Sequence, residues 1–152
     1  SVEHSCFVSP VGNRAKDFFL GCNSEACCWR GVQMLYAYTL TNDKSYLINA
    51  RRCLNYLLGQ NATGYCFVSG FGTKPTSHPH HRLAQTANGA LPGFMAGGPN
   101  PGHQDKAEVT YHTSIPDESY LDETNSYASN EIAINWNVTL VGLSGWLDAL
   151  GM

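Results

Sequence analysis

The sequence is short of charge. Of 152 residues, 14% are charged, against about 25% in an average soluble domain. The net charge is −3, and no basic stripe runs through the chain. That excludes the electrostatic footprint of a nucleic-acid binder. No apolar run is long enough to cross a bilayer, so no membrane partner is expected. Ser1-Val2-Glu3-His4 does not read as a secretory leader, although a processed secreted chain would lack one as well. No internal repeat, charge block or linker divides the chain, and its length suits a single domain with its own core.

What the sequence does have is apolar and aromatic. It is 43% hydrophobic and 11% aromatic. Many aromatics among few charges suit either a filled core or a surface for a neutral ligand such as a sugar. Six cysteines are present: Cys6, Cys22, Cys27, Cys28, Cys53 and Cys66. An even number is compatible with disulfides and an oxidising compartment, and equally with free buried thiols. None of the spacings is that of a zinc knuckle.

Hydrophobic periodicity predicts helices. Asn13 to Phe19 is a short amphipathic piece that stops near Gly21. Glu25 to Leu40 places Val32, Leu35, Tyr36 and Leu40 at helical spacing. Thr41-Asn42-Asp43 breaks that helix and caps the next, from about Lys44 to Leu58. There Leu47, Ala50, Leu54 and Leu57 form one face, joined by Cys53 and Leu58, and Gly59 marks the end. The two make an antiparallel hairpin, a unit common to bundles and helical barrels. Tyr65 to Val68 reads as a short extended segment. From about Gly70 to Asn130, glycine and proline exclude a long regular element, and a stretch this long points to a functional loop. A last helix is expected from Glu131 to Leu150. Its buried stripe is Ile132, Trp136, Leu140, Leu143, Leu147 and Leu150, with Ser129 and Asn130 as caps.

Two segments resemble the signatures of glycoside hydrolase family 9. The first is Phe67-Val68-Ser69-Gly70-Phe71-Gly72 with Pro79-His80-His81-Arg82. The second is Tyr120-Leu121-Asp122, Tyr127, Asn130-Glu131-Ile132-Ala133 and Asn137. Leu35 to Tyr38, Asn55 to Asn61 and Ala96 to Asn100 read similarly. The resemblance runs from about Trp29 to Leu150. The Gly-Gly-Pro-Asn-Pro-Gly and Asn-Glu-Ile-Ala-Ile-Asn-Trp-Asn runs resemble the bacterial branch that often carries an N-terminal immunoglobulin-like module.

The resemblance implies an all-α fold, the C-terminal portion of an (α/α)6 barrel with long irregular active-site loops. It implies an endo-β-1,4-glucanase acting with inversion on cellulose or a soluble β-glucan, secreted or at the cell surface. There are departures. Val138 stands where the family prefers a small residue. The Asp-Ala-Gly-Asp type motif, which activates water in the family, does not occur in residues 1–152. The expected partner is therefore the missing N-terminal part of the catalytic domain. The alternative is a non-catalytic helical fragment that binds sugar or a partner.

Inverting glycosidases need two carboxyl groups about 6.5–9.5 Å apart, one protonated and one activating water. The resemblance makes Glu131 the acid and places Asp122 and His80 with it in the catalytic group. His81, Arg82 and Tyr127 are implied to bind substrate. A first-turn Glu at a helix N-terminus is favoured as an anion, against the needs of an acid, so burial or a neighbouring Asp122 would have to offset the helix. Asp122 could instead order its loop through backbone amides. Arg82 could instead tie the loop by an ion pair.

His78, His80 and His81 invite a zinc site, with His103 or His112 as a further ligand. Adjacent histidines on an irregular loop seldom converge on one metal. No cofactor is expected beyond the calcium found in some family members, for which Asp105, Asp117 and Glu118 are the candidate oxygens. The sequons at Asn61 and Asn137 are weak, the second lying inside a predicted helix.

Overall fold

The computed structural model describes residues 9–87 and 90–152. Cys6 and the Ser1–His4 stretch fall outside them. The described chain is helical, with pairing confined to single bridges between loop segments.

Three long helices carry the core: α1 (Trp29–Thr41), α2 (Lys44–Leu57) and α5 (Ile134–Ala149). Two short ones, α3 (Arg82–Thr86) and α4 (Tyr127–Asn130), sit in the loops. The Asn13–Phe19 piece shrinks to a 3-10 turn over Ala15–Asp17. The helix predicted from Glu25 begins two residues earlier, as a π-helical stretch over Asn23–Cys28 that runs straight into α1.

The α1–α2 hairpin turns where the sequence says it should. Asn42 adopts a left-handed conformation, φ 55°, and its amide donates to the Tyr38 carbonyl. Asp43 then caps α2, its carboxylate accepting from the Ser45 amide at 2.8 Å. Gly59 follows α2 with φ 115°. Leu35, Leu57, Leu143 and Leu147 are buried between the three helices. A Cβ on Gly31 would lie 2.7 Å from Leu143 Cδ1, so glycine is what lets α1 and α5 meet there.

The sequence places the start of the last helix too early. Glu131 and Ile132 are extended, and α5 begins at Ile134 with Ala133 as its N-cap. Ser129 and Asn130 are therefore not its caps but the end of α4. The reason is competition for backbone groups. The Gly97 amide takes the Glu131 carbonyl at 3.0 Å, Ala96 bridges Ile132, and His80 bridges Glu131. Leu150, expected in the buried stripe, is 40% exposed.

Cys22, Cys27, Cys28, Cys53 and Cys66 are buried, and among the described residues none pairs with another. Both sequon asparagines are engaged. Asn61 Nδ2 donates to the Tyr56 and Tyr65 carbonyls, and Asn137 Oδ1 accepts from the Met95 amide. Among the described residues no helix is long and apolar enough to cross a membrane.

Candidate active site

The site is assembled from two loop segments that lie 52 positions apart and are joined through one side chain. Asn130 is fully buried, and its Nδ2 donates to the His78 carbonyl at 2.7 Å. Two residues on, the His80 amide donates to the Asn130 carbonyl at 2.9 Å. His80 and Glu131 are thereby paired as a parallel bridge. A fully buried amide side chain must have partners. Asn130 Oδ1 finds them in Tyr120 Oη at 2.6 Å and Thr76 Oγ1 at 3.0 Å.

Asp122 holds the other side of the His78 loop. Its carboxylate accepts from the Ser77 amide at 2.9 Å and the His78 amide at 2.9 Å, and lies 3.0 Å from Thr76 Oγ1. His78 Nδ1 stands 3.5 Å away. Burial, reinforced by the Asp122 charge, pushes the Tyr120 hydroxyl well above the usual phenol range, so it stays a donor. Asp122 thus orders a loop through backbone amides.

Glu131, His80 and Tyr127 line one cleft of about 330 Å³, together with Lys106, Ala107 and Asn125. His80 Nδ1 is bonded to the Thr124 carbonyl. A carbonyl can only accept, so that nitrogen carries the proton and Nε2 is the free ring nitrogen. The ring centroids of His80 and Tyr127 are 6.0 Å apart, and the Tyr127 hydroxyl donates to the Gln104 carbonyl. Glu131 is not in a helix first turn, so the expected opposition from a helix N-terminus does not arise. Among the described residues no second carboxylate lines this cleft, and Asp122 is not among its walls.

His81 and Arg82 are not in the lining of this cleft. The His81 ring meets Phe94 edge-on at 5.0 Å and lines an apolar hollow with Ile134, Val138 and Val141. Arg82 is exposed, and among the described residues it makes no ion pair. Val138, the departure from the family pattern, is 62% exposed and meets no steric limit there.

Lys106 and Asn125 were not singled out from the sequence. Both lie in the irregular stretch, where spacing says nothing about which side chains converge. The neighbouring histidines diverge, His78 toward Asp122, His80 toward Thr124 and His81 toward Phe94. Asp105 is occupied by the Tyr111 hydroxyl at 2.9 Å and the Ala128 amide at 2.8 Å. Among the described residues no three His, Cys, Asp or Glu side chains group to hold a metal ion.

A loop-borne carboxyl, a histidine and a tyrosine thus share one cleft on a helical scaffold. The family model for glycosyl hydrolase family 9 matches residues 4–144. The chain is 54% identical over 152 residues to a xyloglucan-specific endo-β-1,4-glucanase of Bacteroides ovatus, covering 99% of this chain and 26% of that protein. It is 35% identical over 129 residues to a cellulose 1,4-β-cellobiosidase of Acetivibrio thermocellus, covering 80% of this chain and 14% of that one.

Among solved structures, a family 9 protein of Bacteroides ovatus superposes with a TM-score of 0.81 at 50% identity, covering 93% of this chain and 24% of its own. AaCel9A in complex with cellobiose-like isofagomine gives 0.76 at 32% identity, covering 91% and 26%. The chain belongs to glycosyl hydrolase family 9. Its fold is a portion of that family's (α/α)6 barrel, and it spans about a quarter or less of the length of these relatives.

Proposed function

We propose that this chain supplies the acid side of an inverting endo-β-1,4-glucanase site, the base coming from a part of the catalytic domain outside these residues. The observation that carries the proposal is the position of Glu131. It opens into a cleft walled by His80 and Tyr127, on backbone pinned by the His80 bridge. A general acid must be held within reach of the leaving oxygen, and pinned backbone provides that. Among the described residues Glu131 is the one carboxylate lining the cleft, which agrees with a base contributed from elsewhere.

In this proposal His80 Nε2 and the Tyr127 ring contact the sugar beside the scissile bond, while Asp122 positions the His78–His80 loop. Family membership supports a β-glucan substrate. The 54% identity to a xyloglucan-specific relative favours a xylose-branched glucan over plain cellulose. Such polymers do not enter cells, which supports a secreted or surface location.

Glu131→Gln in the full-length enzyme tests the acid role. Gln keeps the shape but has no acidic proton, so binding should persist while turnover falls about 10²–10⁴-fold or more. Retention of roughly a tenth of the rate would remove Glu131 from that role. Proton NMR of the first products tests inversion, and a β-anomer appearing first from a β-glucan would reject it.

The second reading, a non-catalytic sugar-binding module, fits a single carboxylate among the described cleft residues equally well. Failure of any longer form of the protein to hydrolyse β-glucan would select it.

A further inference from the structure

Beside the Glu131 cleft lies a second hollow of about 660 Å³, twice the first, lined by His103, Asp105, Ala107, Thr110 and Tyr111 among others. Ala107 lines both.

The hollow is built rather than incidental. His103 stacks on Tyr111 with centroids 3.9 Å apart and planes 10° from parallel. Its backbone sits at φ 42°, a strained conformation for a non-glycine residue of the kind that collects at ligand clamps. Its Nε2 is buried with no hydrogen-bond partner among the described residues. Tyr111 is fixed in turn, its hydroxyl lying 2.9 Å from Asp105 Oδ2 and 2.6 Å from Ser126 Oγ. Asp105 Oδ1 accepts from the Ala128 amide at 2.8 Å, and the Tyr127 hydroxyl bonds the Gln104 carbonyl. The hollow and the Glu131 cleft therefore share one backbone frame.

We propose that this hollow binds a pentose branch of a decorated β-glucan whose main chain lies in the Glu131 cleft. The proposal rests on the glucan reading above and names the element that would set branch preference. Both oxygens of Asp105 are already engaged, which leaves the Glu108 carboxylate and the Thr110 and Ser114 hydroxyls of the lining to meet sugar hydroxyls. Ala107, which lines both spaces, is where a branch leaving the main chain sideways would run from one to the other.

The test is the ratio of kcat/KM on a xylose-branched cello-oligosaccharide to that on its unbranched counterpart, in the full-length enzyme carrying this chain. Thr110→Trp fills the hollow without lying on the Glu131 cleft. The ratio should fall about tenfold or more, the scale on which one pocket contact discriminates. Thr110→Ser, which keeps the hydroxyl, should restore it. Ser114→Trp, filling the same hollow, should lower it again. A ratio unchanged by both tryptophans overturns the proposal, as does an equal loss on both substrates, which would report general damage. A wild-type enzyme inactive on both substrates overturns the glucan reading and this proposal together.

Discussion

Asp122 is the residue whose part can be settled by one substitution. Its carboxylate answers two backbone amides that would otherwise lack partners. Asp122→Ala should cost about 1–3 kcal/mol of stability, the penalty for donors left unsatisfied. Hydrogen exchange of the Ser77 and His78 amides should accelerate with it. Loss of turnover with those amides still protected would instead give Asp122 a direct chemical part.

Asp17 makes a separate, pH-dependent prediction. The Arg14 guanidinium bonds its carboxyl and outweighs the burial that opposes ionisation, lowering it from 3.8 to about 2. A carboxyl depressed in the folded state contributes stability above its unfolded value. That contribution goes as pH falls from about 4 toward 2. Carboxyl-carbon NMR of Asp17 should titrate near 2, and an ordinary midpoint would dismiss the Arg14 tie.

At the scale of elements, the hairpin was legible because its signals are local. Asp43, the helical faces of Leu35 and Leu57, and Gly59 each act within a few residues of themselves. The start of α5 was not legible. The apolar spacing from Ile132 to Trp136 and Leu140 is continuous, and nothing local reveals that Ile132 is claimed by Ala96 from the other side of the loop. The π-helical Asn23–Cys28 stretch was missed for a similar reason, since its apolar spacing reads as ordinary helix. The motif located Glu131, His80 and Tyr127 together. It grouped His81 and Arg82 with them; neither is among the lining of that cleft, and motif spacing carries no side-chain direction.

Two substitutions test the element scale. Asp43→Ala removes the cap of α2 and should cost about 1 kcal/mol in a urea titration. Gly31→Ala sets two effects against each other. Helix propensity favours alanine by about 1 kcal/mol, while overpacking against Leu143 costs about 1–3 kcal/mol. The steric term should win and lower the thermal midpoint. A raised midpoint would mean that Leu143 moves aside freely.

For the whole molecule, the helices present apolar surface outward. Tyr36 and Leu40 on α1 are 58% and 86% exposed, and Ile134 and Val141 on α5 are 91% and 68% exposed. In a closed helical barrel such faces would pack against neighbouring helices. At about 25 cal/mol per Å², a few hundred Å² left wet forfeits several kcal/mol, comparable with the stability of a domain. The chain alone is expected to unfold with low cooperativity and to show no activity on carboxymethylcellulose. Mixing with the remainder of a catalytic domain should restore both. Cooperative melting with clear activity from the chain alone would refute this and require the base to be found among these residues.

The Asn130 tie to His78 also sets an order of events. Its two ends lie 52 positions apart and are joined mostly by irregular chain, so the tie forms only after the entropy of a long closure has been met. The α1–α2 hairpin closes over a turn of a few residues and has no such delay. During refolding, amides of the hairpin should gain protection in pulse-labelling before the amide of His80 does. The chain would then pass through a stage that already has its helical frame but not yet an assembled cleft.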